Sequence, residues 1–472
     1  MFSDFKDFSN KTALFLEDSR QVSYKELDQK VGEIQKLLQP SELIFIIGSN
    51  DLETLVCYIA AIRQGTVALM LSPSLDRNYL KQLINNYNPK YVWAPNNFEF
   101  DFSYKLNKSF KSEKYFLLTS EVTSNLPNSL ALLLTTSGST GNPKLVRISK
   151  NNLESNTLSI IEVLDIDKDD SLITTLPINY SYGLSLINTH LQRGATVILN
   201  NHSVSSREFW EYARTSAATS MGGVPFTYEL LIKFKSANIA TTKLRKFTQA
   251  GGKLKKETAL KVLDLVENLK GTFHIMYGQT EATARISVLP FHSIKERPES
   301  IGKPIPRGEI LLIDEGGKEI TQPFLEGTLV YKGPNVSLGH AENLDDLYLA
   351  DSNCGYLDTG DLGHKDTEGY FYITGRKSRF VKIFGLRMNL DDIENSLTQE
   401  NIQCACIQLN DTLIIFVVDS DKISVLQNTL KRKYNLRSTD YSLKIIASFP
   451  RSESGKILYG LLANEELNEN IS

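Results

Sequence analysis

Short apolar runs alternate with amphipathic stretches from about Ser41 to Gln192, and this alternation limits the fold more than any other feature. ELIFIIGS precedes the helix-like ETLVCYIAAIRQG, and TVALML precedes YLKQLINNY and KYVWAP. The pattern recurs through LITTLPI, ATVILN, REFWEYARTSAA, KFTQAGG, KKETALKVLDLVENL and FHIMYG. Alternating strand and helix signals are typical of parallel sheets covered by helices. We therefore predict an α/β fold with layered sheets.

The texture of the sequence changes beyond Ile301, where short strand-like runs and turns replace the longer alternation. IDEGGKEI (313–320) predicts a β-hairpin, and a small α+β pattern follows GRKSR (375–379). A chain of 472 residues exceeds what one hydrophobic core usually fills. We predict a large N-terminal domain, 1–375, of layered α/β sheets plus a small β subdomain, and a small C-terminal α+β domain, 376–472.

The composition is that of an ordinary folded protein, and it excludes two broad classes of partner. Hydrophobic residues make up 41% of the chain, charged residues 23%, and the formal net charge is −3. This balance argues against general binding of nucleic acid or of anionic membrane. No apolar run reaches the ~18 residues that a membrane span needs, and no basic leader opens the sequence. We expect a cytoplasmic protein with no membrane span.

The four cysteines, Cys57, Cys354, Cys404 and Cys406, are too few and too scattered for a disulfide framework, which indicates a reducing compartment. Cys404 and Cys406 lie two apart in CACIQL, and a strand would place both on one face. We interpret them as buried small hydrophobic residues rather than as metal ligands.

The segment LTTSGSTGNPKLVRIS (134–149) is rich in hydroxyl groups and glycine, and it contains a lysine. Glycine lets backbone amides approach an anion, so the segment suits phosphate binding. It is not a Walker A loop, because Pro143 precedes Lys144 and Leu145 stands where the magnesium-binding hydroxyl should be. The run LVRIS predicts a second strand, with a capped helix starting at Asn151 or Asn152. The segment is thus predicted to join two strands; an ordinary Ser- and Gly-rich surface turn is the alternative.

Five motifs follow one another between residues 137 and 457: SGSTGNPK (137–144), YGQTEA (277–282), YLDTGDLG (356–363), GRKSRFVKIFGLRMNLDDIE (375–394) and PRSESGKI (450–457). In order and spacing they resemble the adenylate-forming enzymes: acyl-CoA and aryl-CoA synthetases, peptide-synthetase adenylation domains and luciferases. The resemblance implies that a carboxylate attacks the α-phosphate of ATP, giving an acyl-adenylate and pyrophosphate. A thiol of CoA or of carrier-protein phosphopantetheine then displaces AMP. It also implies a mobile C-terminal domain that rotates between the two steps.

The resemblance assigns the phosphate chemistry to one lysine and one loop. Lys456 in SESGKI matches the lysine that reaches the α-phosphate and the substrate carboxylate, where negative charge builds during attack. Taken alone, it would be a solvated lysine before a helix. The residues implied to clamp the β- and γ-phosphates of ATP are Thr136, Ser137, Gly138, Ser139, Thr140, Gly141 and Lys144.

YGQTEA supplies the metal ligand and part of the nucleotide site in this resemblance. Glu281 matches the ligand of Mg²⁺, a hard cation that prefers carboxylate oxygen. Thr280 would contact the α-phosphate. Tyr277, followed by Gly278, would pack on adenine, where an aromatic ring offers contact area at low entropic cost.

The acyl pocket is expected at two glycines and at LPINYSYGLS. Gly251 and Gly252 in QAGGKL match a flat backbone that borders adenine and the acid, although a plain strand-to-helix turn is the alternative. The remaining pocket residues implied are Tyr180, Gly183 and Met221. Tyr180 departs from the pattern, since many acyl-CoA synthetases have a histidine after the proline.

The last two motifs are implied to serve the ribose, the hinge and the thiol. Asp361 in the TGD triplet would accept both ribose hydroxyls, because a carboxylate offers two oxygens in a fork. Arg376 would bind ribose or phosphate near the hinge, where Ser378 replaces the usual Asp or Lys. Gly385 and Arg387 match the strand beside the thiol tunnel. Turn and surface-pair roles are the structural alternatives for Asp361 and Arg376.

The segments predicted to line the acyl pocket lack acidic residues before Glu229, and this bears on the class of substrate. Amino-acid-activating relatives usually place an Asp here, because a buried ammonium without a partner is costly. NYSYGLS has no acidic residue, and SMGGVPFTYELL has none before Glu229. We therefore predict a small-molecule carboxylic acid without an α-amino group, such as a short or medium acyl or aryl acid.

Two other functions stay open at this point. One is an amino-acid-adenylating enzyme that loads a carrier protein, which we expect to act in trans, because we recognise no phosphopantetheine-attachment segment around KILYGLLANEELNENIS. The other is a catalytically silent nucleotide-binding homologue. The joint presence of Lys144, Glu281, Asp361, Arg376 and Lys456 argues against that second alternative.

Overall fold

The computed structural model describes residues 1–2, 5–99, 107–135, 144–233, 237–377, 379–383, 386–409, 412–451 and 457–463. The chain forms two compact units. The first contains Met1–Thr136, Asn142–Glu309 and Tyr331–Leu357, and the second contains Ile310–Val330 and Asp358–Ser472. Both units combine helices with sheets, which confirms the predicted mixture of elements, while a domain boundary at residues 375 and 376 stays a prediction.

The strands are numbered in chain order. Those up to residue 200 are β1 Thr12–Phe15, β2 Gln21–Ser23, β3 Leu43–Ile47, β4 Val67–Leu71, β5 Tyr91–Pro95, β6 Asn107–Lys111, β7 Tyr115–Thr119, β8 Leu130–Thr135, β9 Leu145–Ser149, β10 Ser171–Ile173 and β11 Thr196–Ile198. Those beyond it are β12 Ser220–Gly223, β13 Lys246–Gln249, β14 Thr272–Tyr277, β15 Ser287–Leu289, β16 Lys303–Pro304, β17 Glu309–Ile313, β18 Gly327–Lys332, β19 His340–Ala341, β20 Tyr356–Lys365, β21 Phe371–Arg376, β22 Phe380–Ile383, β23 Leu386–Asn389, β24 Cys404–Leu409, β25 Thr412–Val417 and β26 Tyr441–Ile445.

The helices are numbered in the same way. They are α1 Tyr24–Gln35, α2 Leu52–Gln64, α3 Arg77–Tyr87, α4 Lys150–Leu164, α5 Ser181–Gln192, α6 Arg207–Thr215, α7 Pro225–Lys233, α8 Ala237–Ala240, α9 Lys256–Asn268, α10 Leu390–Gln399 and α11 Ile423–Tyr434. None of the helices in the described part of the chain has the length and hydropathy of a membrane span.

Two large sheets build the first unit. Within the described residues, one sheet has the order β16-β15-β14-β13-β12-β10-β11-β1-β2 and the other β19-β9-β8-β4-β3-β5-β7-β6. The pairs β3–β4, β12–β13 and β13–β14 are parallel, as the alternation of strands and helices predicted. Strands β3 (LIFII) and β4 (VALML) are buried along their whole length, because helices or other layers cover both faces of a parallel sheet.

A hydrophobic core joins the two sheets of the first unit through helix α2. The helix begins after Asp51, whose side chain accepts a hydrogen bond from the amide of Thr54, and ends at Gly65 in the left-handed conformation (φ 80°). Nearly all of its residues are buried. They belong to one hydrophobic cluster with side chains of both sheets, including Ile46 and Val197.

The phosphate-loop segment joins β8 to β9, which pair antiparallel through Leu134 with Val146. The predicted strand–loop–strand arrangement is therefore confirmed. The helix that follows starts at Lys150, earlier than the predicted start at Asn151 or Asn152. The prediction was wrong because Ser149, not a later residue, is the cap: its hydroxyl accepts from the amide of Asn152 at 3.0 Å, and the Asn152 side chain accepts from the Ser149 amide at 2.9 Å.

The second unit contains smaller sheets. Within the described residues their orders are β17-β18-β20-β21, β22-β23 and β24-β25-β26. The IDEGGKEI hairpin is confirmed, since Ile313 bridges Glu319 and Gly317 adopts a φ of 80°. Cys404 and Cys406 lie in β24, both buried and both free thiols, as the interpretation of small hydrophobic residues requires.

One arginine organises the core of the second unit beside α10. The two terminal nitrogens of Arg379 lie 2.6 Å from Oδ1 of Asp391 and 2.6 Å from Oε1 of Glu394. The guanidinium also donates to the carbonyl oxygen of Cys406 and lies 4.0 Å from the ring centroid of Tyr459. Its charge is therefore compensated by groups of the fold itself.

Candidate active site

The segment YGQTEA forms a sharp turn after β14. Gly278 is required there, because a Cβ atom would lie 1.9 Å from the carbonyl oxygen of Ala284. The chain then forms a short 3-10 helix, Thr280–Ala282. Thr280 and Glu281 thus lie just beyond the carboxyl end of a parallel strand, where ligands bind in α/β sheets.

Glu281 is held beside β19. Its Oε1 lies 3.2 Å from Nε2 of His340, and its carbonyl oxygen accepts from the amide of Ser337 at 2.8 Å. The Glu281 side chain is 19% exposed, so its carboxylate is partly accessible to a ligand. His340 pairs with Val146 of β9. The predicted metal ligand therefore lies close to the strand that follows the predicted phosphate loop.

Lys144 lies at the end of that loop. Its Nζ is 2.8 Å from Oε1 of Glu342, and both side chains are about half exposed. The next residue, Leu145, pairs with Ala341 of β19. β19 and the residue after it therefore hold both Lys144 and Glu281. Thr136 to Gly141, the rest of the predicted phosphate clamp, lie outside the described residues.

The YGQTEA turn also meets helix α5. The Thr280 hydroxyl is within 3.4 Å of the Ser181 hydroxyl, and Ser181 is the first residue of α5. Tyr180 occupies the cap position of the same helix. The segment predicted to contact the α-phosphate therefore lies next to the segment predicted to bind the acid.

The two glycines of QAGGKL lie against Tyr180 and Pro225. Gly251 has a φ of +87°, and a Cβ atom there would lie 2.5 Å from the Tyr180 hydroxyl. At Gly252 a Cβ atom would approach Pro225 to 3.1 Å. The close approach of Tyr180 to this backbone requires glycine at position 251, in keeping with a flat wall of a pocket.

Gly183 and Met221 have structural surroundings that explain their residue types. A Cβ atom at Gly183 would lie 2.3 Å from the carbonyl oxygen of Pro177, so glycine allows the first turn of α5 to pack on the preceding loop. Met221 is buried in β12, opposite Phe247 and Ile173 of its neighbours. Contact of either residue with an acid stays a prediction.

Arg285 is a member of the site that the sequence analysis missed. It is 0% exposed, and its guanidinium lies 3.8 Å from the ring centroid of Tyr182. Nε, Nη1 and Nη2 have no hydrogen-bond partner among the described residues. Burial lowers the pKa of Arg285 to about 10. A lone arginine in the largely apolar run ARISVLP (284–290), which begins two residues after the end of YGQTEA, was the available signal.

Tyr180 experiences the same environment. Burial raises its pKa to about 12, and the positive charge of Arg285 opposes that rise. The rings of Tyr180 and Tyr182 meet edge to face, with centroids 6.3 Å apart. A neutral phenol, a tyrosine ring and a buried cation therefore line one region beside Gly251.

Asp361 and Arg376 lie together in the second unit. They face each other across β20 and β21, with Nε of Arg376 2.9 Å from Oδ1 of Asp361. The Asp361 side chain is 4% exposed and that of Arg376 62%. The structure thus brings the two predicted ribose-site residues together, whereas their binding of a nucleotide stays a prediction.

The remaining predicted residues lie at or beyond the limits of the described chain. Lys456, Ser378 and Gly385 are outside the described residues, and Arg387 is placed only by its backbone in β23. The segment around Lys456 has described ends, where Arg451 bridges Ile457 in antiparallel register.

Known proteins resemble this chain in sequence and in fold. Residues 2–340 match the profile of the AMP-binding enzyme family. Oxalate–CoA ligase of Arabidopsis thaliana is 27% identical over 362 residues, which are 73% of this chain and 69% of that enzyme. Bacitracin synthase 1 of Bacillus licheniformis is 24% identical over 463 residues, 92% of this chain but 8% of the synthase.

The fold matches o-succinylbenzoate CoA synthetase from Bacillus subtilis. Its structure with the acyl-adenylate intermediate OSB-AMP has a TM-score of 0.77 and 20% identity, covering 98% of this chain and 97% of that chain. Its structure with ATP and a magnesium ion has a TM-score of 0.75 at 20% identity, and the match covers 97% of this chain and 98% of that chain. The layered α/β architecture predicted from the sequence is confirmed.

Proposed function

Because this chain belongs to the AMP-binding enzyme family, we propose that it activates a carboxylic acid with ATP, giving an acyl-adenylate and pyrophosphate. A thiol then displaces AMP from the adenylate. The observation that carries the proposal is the turn after β14, which presents Thr280 and Glu281 between β19 and the start of α5. A phosphate chain and an acid can both reach such a turn.

The residues around this turn fit ATP with Mg²⁺. Glu281 offers a partly accessible carboxylate, which is the hard oxygen donor that Mg²⁺ prefers. When bound, Mg²⁺ would neutralise negative charge on the phosphates of ATP. Lys144 would release Glu342, a half-exposed partner, to contact the β- and γ-phosphates.

The chemical step requires positive charge at the α-phosphate. Attack by the acid carboxylate builds charge on oxygens that already repel one another, so preorganised cations lower the barrier. We assign this role to Lys456, with Thr280 orienting the α-phosphate. Tyr277 and Gly278 would contact adenine together with Gly251 and Gly252.

CoA is the acceptor we favour, because the oxalate–CoA ligase that matches this chain uses CoA by its name. A carrier-protein phosphopantetheine is the alternative acceptor. Activation of an amino acid is not favoured, since the buried guanidinium of Arg285 would repel a substrate ammonium.

The test is a panel of carboxylic acids and amino acids incubated with ATP and Mg²⁺. We expect pyrophosphate release that depends on the acid, followed by AMP release when CoA is added. A matched reaction without acid is the control. Adenylation with amino acids alone would favour the carrier-loading enzyme, and no adenylation with any acid would contradict the proposal.

A further inference from the structure

Arg285 is a buried cation that lacks a counter-ion in the described part of the chain. It is fully buried, and all three of its nitrogen positions lack a hydrogen-bond partner there. Burying an uncompensated charge is costly, and natural folds rarely retain one without a functional reason. The geometry therefore indicates that a ligand supplies the missing acceptor.

The other large buried arginine of this unit shows the usual solution. Arg147 is 1% exposed, and its terminal nitrogens donate to the carbonyl oxygens of Leu349, Leu338 and Ala350. Backbone acceptors thus hold this side chain in place. Arg285 differs, because one face of its guanidinium lies on the Tyr182 ring and its donor edges are unoccupied by described residues.

The guanidinium of Arg285 lies beside residues that are assigned to the acid pocket. Tyr182 precedes Gly183 in α5, its ring meets that of Tyr180, and the Tyr180 hydroxyl lies against Gly251. Arg285 itself follows the Thr280–Ala282 turn by three residues. The cation is therefore connected by direct ring contacts to the backbone expected to border the acyl group.

We infer that the acid activated by this protein carries a second carboxylate, which Arg285 binds in the acyl pocket while the first carboxylate attacks ATP. This inference rests on the proposed function. A carboxylate fits a guanidinium through two parallel hydrogen bonds and neutralises its charge. A neutral carbonyl or hydroxyl group would satisfy one donor and leave the charge unbalanced.

The wild-type protein provides the first test. Linear and benzene dicarboxylic acids are each compared with their monomethyl esters in ATP–pyrophosphate exchange. We expect the best diacid to exceed its monoester by at least about 100-fold in kcat/KM, because the ester leaves a buried donor group unpaired. Equal activity of the pair, or activity with monocarboxylic acids only, would overturn the inference.

Variants of Arg285 provide the second test. In Arg285→Met the ratio of diacid to monoester should fall to about one, whereas Arg285→Lys should retain a reduced preference for the diacid, since it keeps charge but not the fork. Arg307→Met is the matched control, because Arg307 is half exposed and pairs with Glu162. It should leave the ratio unchanged. Persistence of the full preference in Arg285→Met would contradict the inference.

Failure of this inference is distinguishable from failure of the proposed function. If monocarboxylic acids support exchange and diacids do not exceed them, Arg285 has another role and the enzyme assignment stands. If no acid supports exchange, the proposed function itself fails. The wild-type panel decides between these results even if Arg285→Met does not fold.

Discussion

Two arginines, one in each unit, meet the same electrostatic problem in different ways. Arg379 in the second unit is 17% exposed and lies between Asp391 and Glu394. Arg285 in the first unit is fully buried and has no acceptor among the described residues. The fold itself compensates the charge of Arg379, whereas we propose that a bound ligand compensates the charge of Arg285.

The pKa shifts of the two side chains express this difference. Burial lowers the pKa of Arg285 to about 10, because desolvation penalises its charge and, among the described residues, only Tyr182 and Tyr180 oppose the effect. Burial also penalises the charge of Arg379, but Glu394 and Asp391 outweigh it and raise its pKa above the ordinary value. A buried cation with partners indicates structure, whereas one without partners indicates a ligand site.

His190 shows a third solution, which is to remain neutral. It is fully buried in α5, with Nδ1 2.8 Å from the carbonyl oxygen of Leu186 and Nε2 3.1 Å from the Ser220 hydroxyl. The carbonyl can only accept, so Nδ1 carries the proton and Nε2 accepts from the serine. Burial lowers the pKa of His190 to about 4.

The largest expected effect comes from removing the compensated cation. Arg379→Met should lower the free energy of unfolding of the second unit by about 3–5 kcal/mol, because Glu394 would remain buried without its counter-ion. Urea denaturation measures this change. The control is Arg379→Met combined with Glu394→Leu, which should recover part of the loss. A change below about 1 kcal/mol for the single variant would mean that the pair is not coupled as described.

Acidification should reveal the neutral histidine. Between pH 6.5 and 4 the unfolded chain gains a proton on His190 that the folded chain does not take up. The contribution of the neutral His190 to the free energy of unfolding is therefore complete above pH 6.5 and is lost as the pH falls to about 4. The contribution is ~3 kcal/mol at most, from the size of the pKa shift. Denaturation curves of wild type and His190→Gln across this range measure it. Parallel curves for the two proteins would contradict the assignment.

Removing the uncompensated cation, Arg285, should stabilise the protein, whereas removing Arg379 should destabilise it. In the absence of acid, Arg285→Met should raise the free energy of unfolding by about 1–3 kcal/mol, because an unpaired desolvated group is lost while contact with Tyr182 is kept. Arg147→Met is the control of equal burial, and it should destabilise the protein. Destabilisation by Arg285→Met of similar size would show that Arg285 has a partner within the fold.

The sequence predicted those features that depend on neighbouring residues. The alternation of strands and helices gave the sheets of the first unit, the β-branched LVRIS gave β9, and the order of motifs gave the family, which the match over residues 2–340 confirms. The helix start was missed by one or two residues, because Ser149 had been assigned to the strand rather than to the cap.

Tertiary features could not be predicted in the same way. The pairing of Lys144 with Glu342, and of Glu281 with His340, depends on β19 packing beside β9 across a long stretch of chain. The burial of Arg285 depends on how α5 covers the turn after β14. A lone arginine in an apolar run signals such a site only when the absence of its partners is known.

Exchange of labelled pyrophosphate into ATP in wild type and in Lys456→Ala tests the central claim most directly. We predict acid-dependent exchange in the wild-type protein and a loss of about 10²–10³-fold in Lys456→Ala, while transfer from a preformed adenylate to the thiol changes much less. Exchange near the wild-type rate in Lys456→Ala, or none in wild type with any acid, would contradict the account.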